Sequence, residues 1–492
     1  MVIFKDECLM TKRNDRSTVS FIPSVLYFDL CSHILMYVYT YSIDVCNDNS
    51  SPSELSVPVL PDTNWGPNSG RESISTEIRP FKVDVPASVI DDLKYRLAHR
   101  RPYVPPLEDE AWNYGISSKY LDTVLDYWKD KYNWTERQAV LNKYPQFVTN
   151  IQGLDIHFYH VKPTNLPNEK KLKVLPLLML HGWPGSVVEF QKIIPMLRKP
   201  WPNQNFVFEI IAPSLPGYGF SQAAVRAGMG GAQIAVVFKN LMHRLGFEKF
   251  YVQGGDWGSL IGANMAALYP DKVTGLHLNM CTSSTLKTLF WTILGSYFPS
   301  LIGVTNENYS MYLPASTVLS TLIEETGYFH LQATKPDTIG AALTSSPDAL
   351  AAYLLEKFST WTNVEYRRRD DGGILEKFTL DELLDNIMVY WVTNSITTSA
   401  RLYAETMSSA YRSLKIEQLP VKVPTACAAF PNELLVQTKS LLKDRYPNMI
   451  QYNVMPRGGH FAAFEEPRLL ADDVYSFVKR TEELGRKPNS EL

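Results

Sequence analysis

Asp256 lies within Gln253-Gly254-Gly255-Asp256-Trp257-Gly258-Ser259, between the apolar run Phe250 to Val252 and a stretch, Leu260 to Tyr269, that reads as a helix. Glycine stands two residues before it and two after. That spacing makes a sharp strand-to-helix corner, exposing the central side chain and excluding side chains on both flanks. Such a corner ordinarily presents serine; here it presents an acid. A carboxylate needs no base to strip a proton from it, and the amino end of the next helix favours its charged form, so it can attack carbon directly. Attack on a saturated carbon bearing a leaving group gives an ester. Water must then cleave that ester, which requires a histidine with an acidic partner and an oxyanion hole. The plainer role for Asp256 is a helix N-cap, but the glycine spacing and the partners downstream favour the nucleophile.

The elements that must position those partners follow from the hydrophobic pattern. Leu154 to His160 and Leu172 to Leu180 read as strands, the second buried because its apolar residues do not alternate. His181-Gly182-Trp183-Pro184-Gly185 follows. A loop there supplies one oxyanion donor and the residue after the nucleophile the other, which points to the N–H groups of Trp183 and Trp257. Phe206 to Ile211 and Gly275 to Met280 are further strands, with a helix at Gly231 to Leu245. Residues 283 to about 412 give helical pieces and no buried strand, and strands return at Val421 to Phe430 and Met449 to Val454. A helical block between two parts of a parallel sheet is a cap, with the ligand between it and the sheet's carboxyl edge. Phe430-Pro431-Asn432-Glu433 follows one returning strand and Arg457-Gly458-Gly459-His460 the other. Nucleophile, acid, histidine is the chain order of α/β-hydrolases. Glu433 would orient His460 as a general base, with Asp444, Glu465 and Glu466 as the other acids nearby.

Composition excludes more than it assigns. A hydrophobic share of 45% and a charged share of 20% in 492 residues are ordinary for a globular chain with a sizeable core. A net charge of −3 leaves no electrostatic footprint for nucleic acid. There is no zinc-type spacing or phosphate loop, and the five cysteines, three of them before residue 50, make no disulfide framework for the main domain. The 27 tyrosines and 10 tryptophans suit an aromatic substrate site or a large core. Residues 21–43 are apolar enough to anchor the chain in a membrane despite Asp29; a signal peptide is the alternative. The basic residues Lys5, Lys12, Arg13 and Arg16 before that stretch, and Asp44, Asp48 and Glu54 after it, would leave the catalytic part on the non-cytosolic side. Residues 47 to 75 read as a linker, and Pro86 to Arg101 and Ser118 to Trp128 as amphipathic helices.

Six motifs carry a resemblance to the microsomal epoxide hydrolases over about residues 62 to 485. They are Asn64-Trp65-Gly66-Pro67, Arg79-Pro80-Phe81-Lys82-Val83, His181 to Gly185, Gly254 to Ser259, Gln332-Ala333-Thr334-Lys335-Pro336-Asp337, and Gly458 to Pro467. The resemblance implies a nucleophile at Asp256, an acid at Glu433 and a base at His460. It also implies two cap tyrosines that hydrogen-bond the epoxide oxygen, Tyr328 and Tyr403, with Tyr390 the decoy among the others. Members of that family commonly carry an anchor at the very N-terminus, with the catalytic domain facing the cytosol.

The expected architecture is an α/β-hydrolase fold with a mostly parallel sheet, an inserted helical cap and a helical N-terminal wrapping region. Its parts are 1–60 with the anchor, 61–165 wrapping, 166–282 and 413–492 hydrolase core, and 283–412 cap. The expected reaction is hydrolysis of lipophilic epoxides, whether xenobiotic, fatty-acid or hormonal, to vicinal diols at an endoplasmic reticulum membrane, without metal or organic cofactor. The rivals are a haloalkane dehalogenase, which shares an Asp-Trp nucleophile pair, and a non-catalytic lipid carrier. Oligomeric state stays open, a dimer included.

Overall fold

The computed structural model describes residues 56–67, 75–164, 172–202, 204–305, 311–312, 320 and 323–485, all within the second of two compact units, Glu54–Leu492. The expected anchor at 21–43 lies outside the described residues, and among those described no helix is long and apolar enough to cross a membrane.

Among the described residues nine strands form one sheet: β1 (Arg79–Phe81), β2 (Gln146–Ile151), β3 (Leu154–Val161), β4 (Lys173–Leu180), β5 (Phe206–Pro213), β6 (Phe250–Gly254), β7 (Val273–Leu278), β8 (Thr425–Ala429) and β9 (Met449–Val454). Their spatial order is β1-β2-β3-β5-β4-β6-β7-β8-β9. Neighbours from β5 onward pair parallel; β1, β2 and β3 join antiparallel. Helices cover both faces of the parallel part, which is why β4 and β6 are written as near-continuous apolar runs: Leu177, Leu178, Leu180 and Val252 are all buried.

Among the described residues the helices of eight or more residues are α1 (Ala87–Ala98), α2 (Ser118–Asp130), α3 (Trp134–Leu141), α4 (Gly231–Arg244), α5 (Trp257–Leu268), α6 (Leu286–Tyr297), α7 (Gly327–Thr334), α8 (Pro336–Ser345), α9 (Pro347–Thr360), α10 (Leu380–Thr393), α11 (Ile396–Met407) and α12 (Pro467–Leu484). Helices α6 to α11 fall within 283–412, the stretch read as a cap.

The N-terminal region departs from expectation by two strands: β1 and β2, which the pattern did not mark, join β3, the strand read at Leu154 to His160, and the helical part grips the cap. Arg137 on α3 meets Asp385 on α10 at 2.6 Å, and Tyr132 donates to the same carboxylate at 2.8 Å. Tyr103 reaches Asp348 on α9 at 2.6 Å, and the Trp112 indole donates to the Asp370 carbonyl at 3.1 Å. A second departure is covalent: the two cysteines beyond residue 50, Cys281 after β7 and Cys427 in β8, form a disulfide that ties these neighbouring strands.

Candidate active site

Asp256 ends the turn from β6 into α5 with φ 49° and ψ −127°. A non-glycine residue there is strained by roughly 1–3 kcal/mol and persists only where its surroundings dictate it. They do so by close approach. A Cβ on Gly254 would fall 2.3 Å from the Gly258 carbonyl, and one on Gly258 would fall 2.1 Å from the Leu180 carbonyl. The flanking glycines are therefore needed for contact between elbow, helix and β4. The Asp256 side chain does not cap α5. Its Oδ1 instead accepts the Trp183 backbone N–H at 2.7 Å, across a gap that a Cβ on Gly182 would close to 2.0 Å.

The loop that offers this donor is held from several sides. His181 Nε2 accepts the Leu215 N–H at 3.1 Å, so its Nδ1 carries the proton toward the Gly182 carbonyl. Burial pushes that imidazole down to about 4, so it stays neutral and structural. From the cap, Asn386 donates to the Pro184 carbonyl at 2.8 Å and Tyr390 to the Gly185 carbonyl at 2.8 Å. With these carbonyls engaged elsewhere, the Trp183 N–H faces the carboxylate. Trp257 opens α5, where a first-turn N–H has no acceptor within its own helix. Tyr390, the decoy, is spent on this loop.

His460 Nδ1 meets Glu433 Oε1 at 2.6 Å, and His460 Nε2 stands 3.4 Å from Asp256 Oδ2. Glu433 is fixed in turn by the Leu434 N–H at 2.7 Å. Burial opposes the charged imidazolium, but the charge and hydrogen bonds of Glu433 and Asp256 outweigh it and hold the pKa well above the usual histidine value. The other candidate acids have different partners. Glu465 accepts the Gly459 and Phe461 N–H groups, 2.7 and 2.8 Å away on either side of His460. Glu466 pairs with Lys377 and with Arg457, and Asp444 with Lys287.

Tyr328 from α7 and Tyr403 from α11 come together over the two tryptophans. The Tyr328 ring stacks on Trp183 with centroids 5.2 Å apart, Tyr403 meets Trp257 edge-on at 4.7 Å, and the two phenol rings are 6.0 Å apart. Burial, with the Asp256 charge nearby, raises both hydroxyls well above the usual range, so they stay protonated as donors. The Tyr403 hydroxyl has no partner of good hydrogen-bond geometry among the described residues. All seven residues singled out in the sequence thus converge on one spot.

Of the other residues around the site, Trp361 and Glu189 left no readable signal in the sequence, and Glu465 was marked only as one of the acids near His460. Trp361, at the end of α9, packs 5.0 Å from both Tyr328 and His460, and its carbonyl accepts the His460 N–H at 3.0 Å. Glu465 and Glu189 are likewise part of the surroundings. Only the position of Glu465 four residues after Phe461, reaching back to that residue's N–H, resembles a recognisable pattern. Among the described residues no three His, Cys, Asp or Glu side chains form a metal-holding group.

Known proteins share this arrangement of chain. Residues 78–190 match the family model described as epoxide hydrolase N terminus, and residues 176–297 match that of the alpha/beta hydrolase fold. Juvenile hormone epoxide hydrolase 1 of Ctenocephalides felis is 52% identical over 88% of this chain and 92% of its own. Epoxide hydrolase 1 of Oryctolagus cuniculus is 48% identical over 87% of this chain and 94% of its own. The crystal structure of juvenile hormone epoxide hydrolase from the silkworm Bombyx mori superposes with a TM-score of 0.84 at 48% identity, covering 86% of this chain and 99% of that one.

Proposed function

The chain belongs to the epoxide hydrolase family, and on that premise we propose that it converts lipophilic epoxides to vicinal diols through an ester formed on Asp256. The observation that carries this reading is the division of labour on one carboxylate: Oδ1 lies on the Trp183 N–H and Oδ2 beside His460. Oδ2 attacks an oxirane carbon while Tyr328 and Tyr403 donate to the oxygen that leaves it, and one of the two phenols gives the opened oxygen its proton. The ester keeps Oδ1 as its carbonyl oxygen. Water then adds to that carbonyl carbon, losing a proton to His460 Nε2, and the N–H groups of Trp183 and Trp257 hold the oxyanion. Collapse passes the proton on His460 to the departing diol oxygen, and the carboxyl left on Asp256 releases the second proton of the water, which restores the phenol and the carboxylate.

The substrate class proposed is apolar and aromatic-tolerant, because Trp183, Trp257, Phe329 and Trp361 surround the phenols. Relatives of similar identity carry two kinds of name, juvenile hormone epoxide hydrolase at 52% and epoxide hydrolase 1 at 48%. Turnover of juvenile hormone beside an arene oxide tests the class. Diol from either supports it; halide release from a haloalkane with no diol from any epoxide would favour the dehalogenase.

We place the chain at the endoplasmic reticulum membrane on the strength of the apolar stretch 21–43 and the resemblance to microsomal enzymes. The resemblance implies a cytosolic catalytic domain, whereas the Cys281–Cys427 disulfide and the charges flanking 21–43 favour the lumen. Protease protection in sealed microsomes decides between them.

A further inference from the structure

Behind Asp256 the fold leaves a small cavity of about 10 Å³, room for about one water molecule. Asp256, His460, Glu189, Gln253 and Asn279 wall it, and neither Tyr328 nor Tyr403 does. It therefore reaches the nucleophile away from the phenols that would hold the epoxide. Two of its walls call for a polar occupant. Gln253, 1% exposed, donates its Nε2 to Asn279 at 3.0 Å and leaves Oε1 without a partner among the described residues. Glu189, on the short turn Val187–Gln191, extends into space kept open by Gly185, where a Cβ would fall 1.4 Å from Glu189 Oε1. Burial first, then Asp256 and Glu465, push its carboxyl up to about 8 against the pull of His460. At neutral pH it thus keeps its proton and adds no charge beside the ester.

We propose that this cavity seats the water that cleaves the ester, and that Glu189 positions it. This inference rests on the roles given above to Asp256 and His460. The water donates one O–H to His460 Nε2 and the other to the carboxyl of Glu189, which leaves a lone pair facing Asp256 Cγ. The new C–O bond forms as the O–H bond toward His460 breaks; Glu189 neither gains nor loses a proton over the cycle. Glu189 is thus a positioning residue for the second half of the reaction alone.

The test is rapid-quench kinetics on Glu189→Met, Glu189→Gln and, as control, His460→Gln, with mass analysis of the peptide that holds Asp256. Ring opening precedes water attack, so in Glu189→Met kcat should fall about ten- to a hundredfold. KM should fall with it, kcat/KM should stay within about threefold, and ester should accumulate. Glu189→Gln, which keeps an acceptor carbonyl, should recover most of the rate. Should Glu189→Met not fold, Glu189→Ala reads the same step. An unchanged kcat, or a parallel loss of kcat and kcat/KM without ester, overturns the role of Glu189. If His460→Gln traps ester and the Glu189 variants do not, this inference alone fails; if His460→Gln traps none, the reading beneath it fails.

Discussion

His460 Nε2 lies 3.4 Å from Asp256 Oδ2, so the group proposed as base is held charged in part by the very carboxylate that the first step consumes. Once Asp256 is an ester, Glu433 is the only one of the two carboxylates still acting on the imidazole. Its affinity for a proton falls at the step where it must accept one from water. Removing that base should separate the two halves of the reaction.

His460→Gln should lower kcat by roughly a thousandfold, within the range ascribed to a general base, while ring opening in a single turnover continues. Acid quench followed by peptide mass analysis should find the substrate-derived ester on Asp256. Complete loss of both steps would mean that His460 also organises the first.

Tyr328 and Tyr403 approach the site from different helices, yet their rings are 6.0 Å apart above the oxyanion tryptophans. Replacing either with Phe should slow ring opening about a hundredfold, as for loss of one donor to a developing oxyanion. Replacing both should abolish diol formation. Tyr390→Phe instead removes a bond to the Gly185 carbonyl. It should cost about 1 kcal/mol of stability and leave ring opening within a few-fold, as stopped-flow and thermal melts would show.

Glu465 gives a prediction about pH. Burial pushes its carboxyl from the ordinary 4.5 up to about 8, against the two N–H groups that it accepts. The folded chain therefore keeps a proton that the unfolded chain releases above about 4.5. Its contribution to stability is complete below that pH and is lost as pH rises through about 8. Glu465→Gln should lower Tm at every pH, since its amide would turn N–H toward N–H, and should flatten the decline between pH 5 and 8.5. An unchanged slope in calorimetry would refute the assignment.

The Cys281–Cys427 disulfide closes a loop with a sequence separation of 146 residues. In the chain-entropy view such a loop is worth about 2–5 kcal/mol. Reduction should lower Tm by several degrees, and mass analysis of alkylated, unreduced protein should find both thiols blocked to the reagent.

The chemistry was legible where geometry demands a residue type. Glycines at 254 and 258 announce the elbow because a Cβ at either would strike backbone, and the pairing of Glu433 with His460 follows from chain order. The phenols were not legible from pattern, since 27 tyrosines offer no periodicity that selects two; only a resemblance named them. Strand β1 is three residues long and β2 mixes Gln, Thr and Asn with apolar residues, so neither shows the alternation that marks a half-buried strand. Glu189 faces the cavity from a turn, where neither helical nor strand spacing applies. The disulfide partners are distant in sequence and meet only because β7 and β8 are neighbours.

The most direct test of the central claim is a single turnover in ¹⁸O-labelled water, with enzyme in excess over a lipophilic epoxide. Because Oδ2 is proposed to leave with the diol while water replaces it on Asp256, the first diol should lack label and the peptide holding Asp256 should gain one ¹⁸O. A labelled first diol with an unlabelled Asp256 would mean that water opens the epoxide directly, and the nucleophile assigned to the elbow would be wrong.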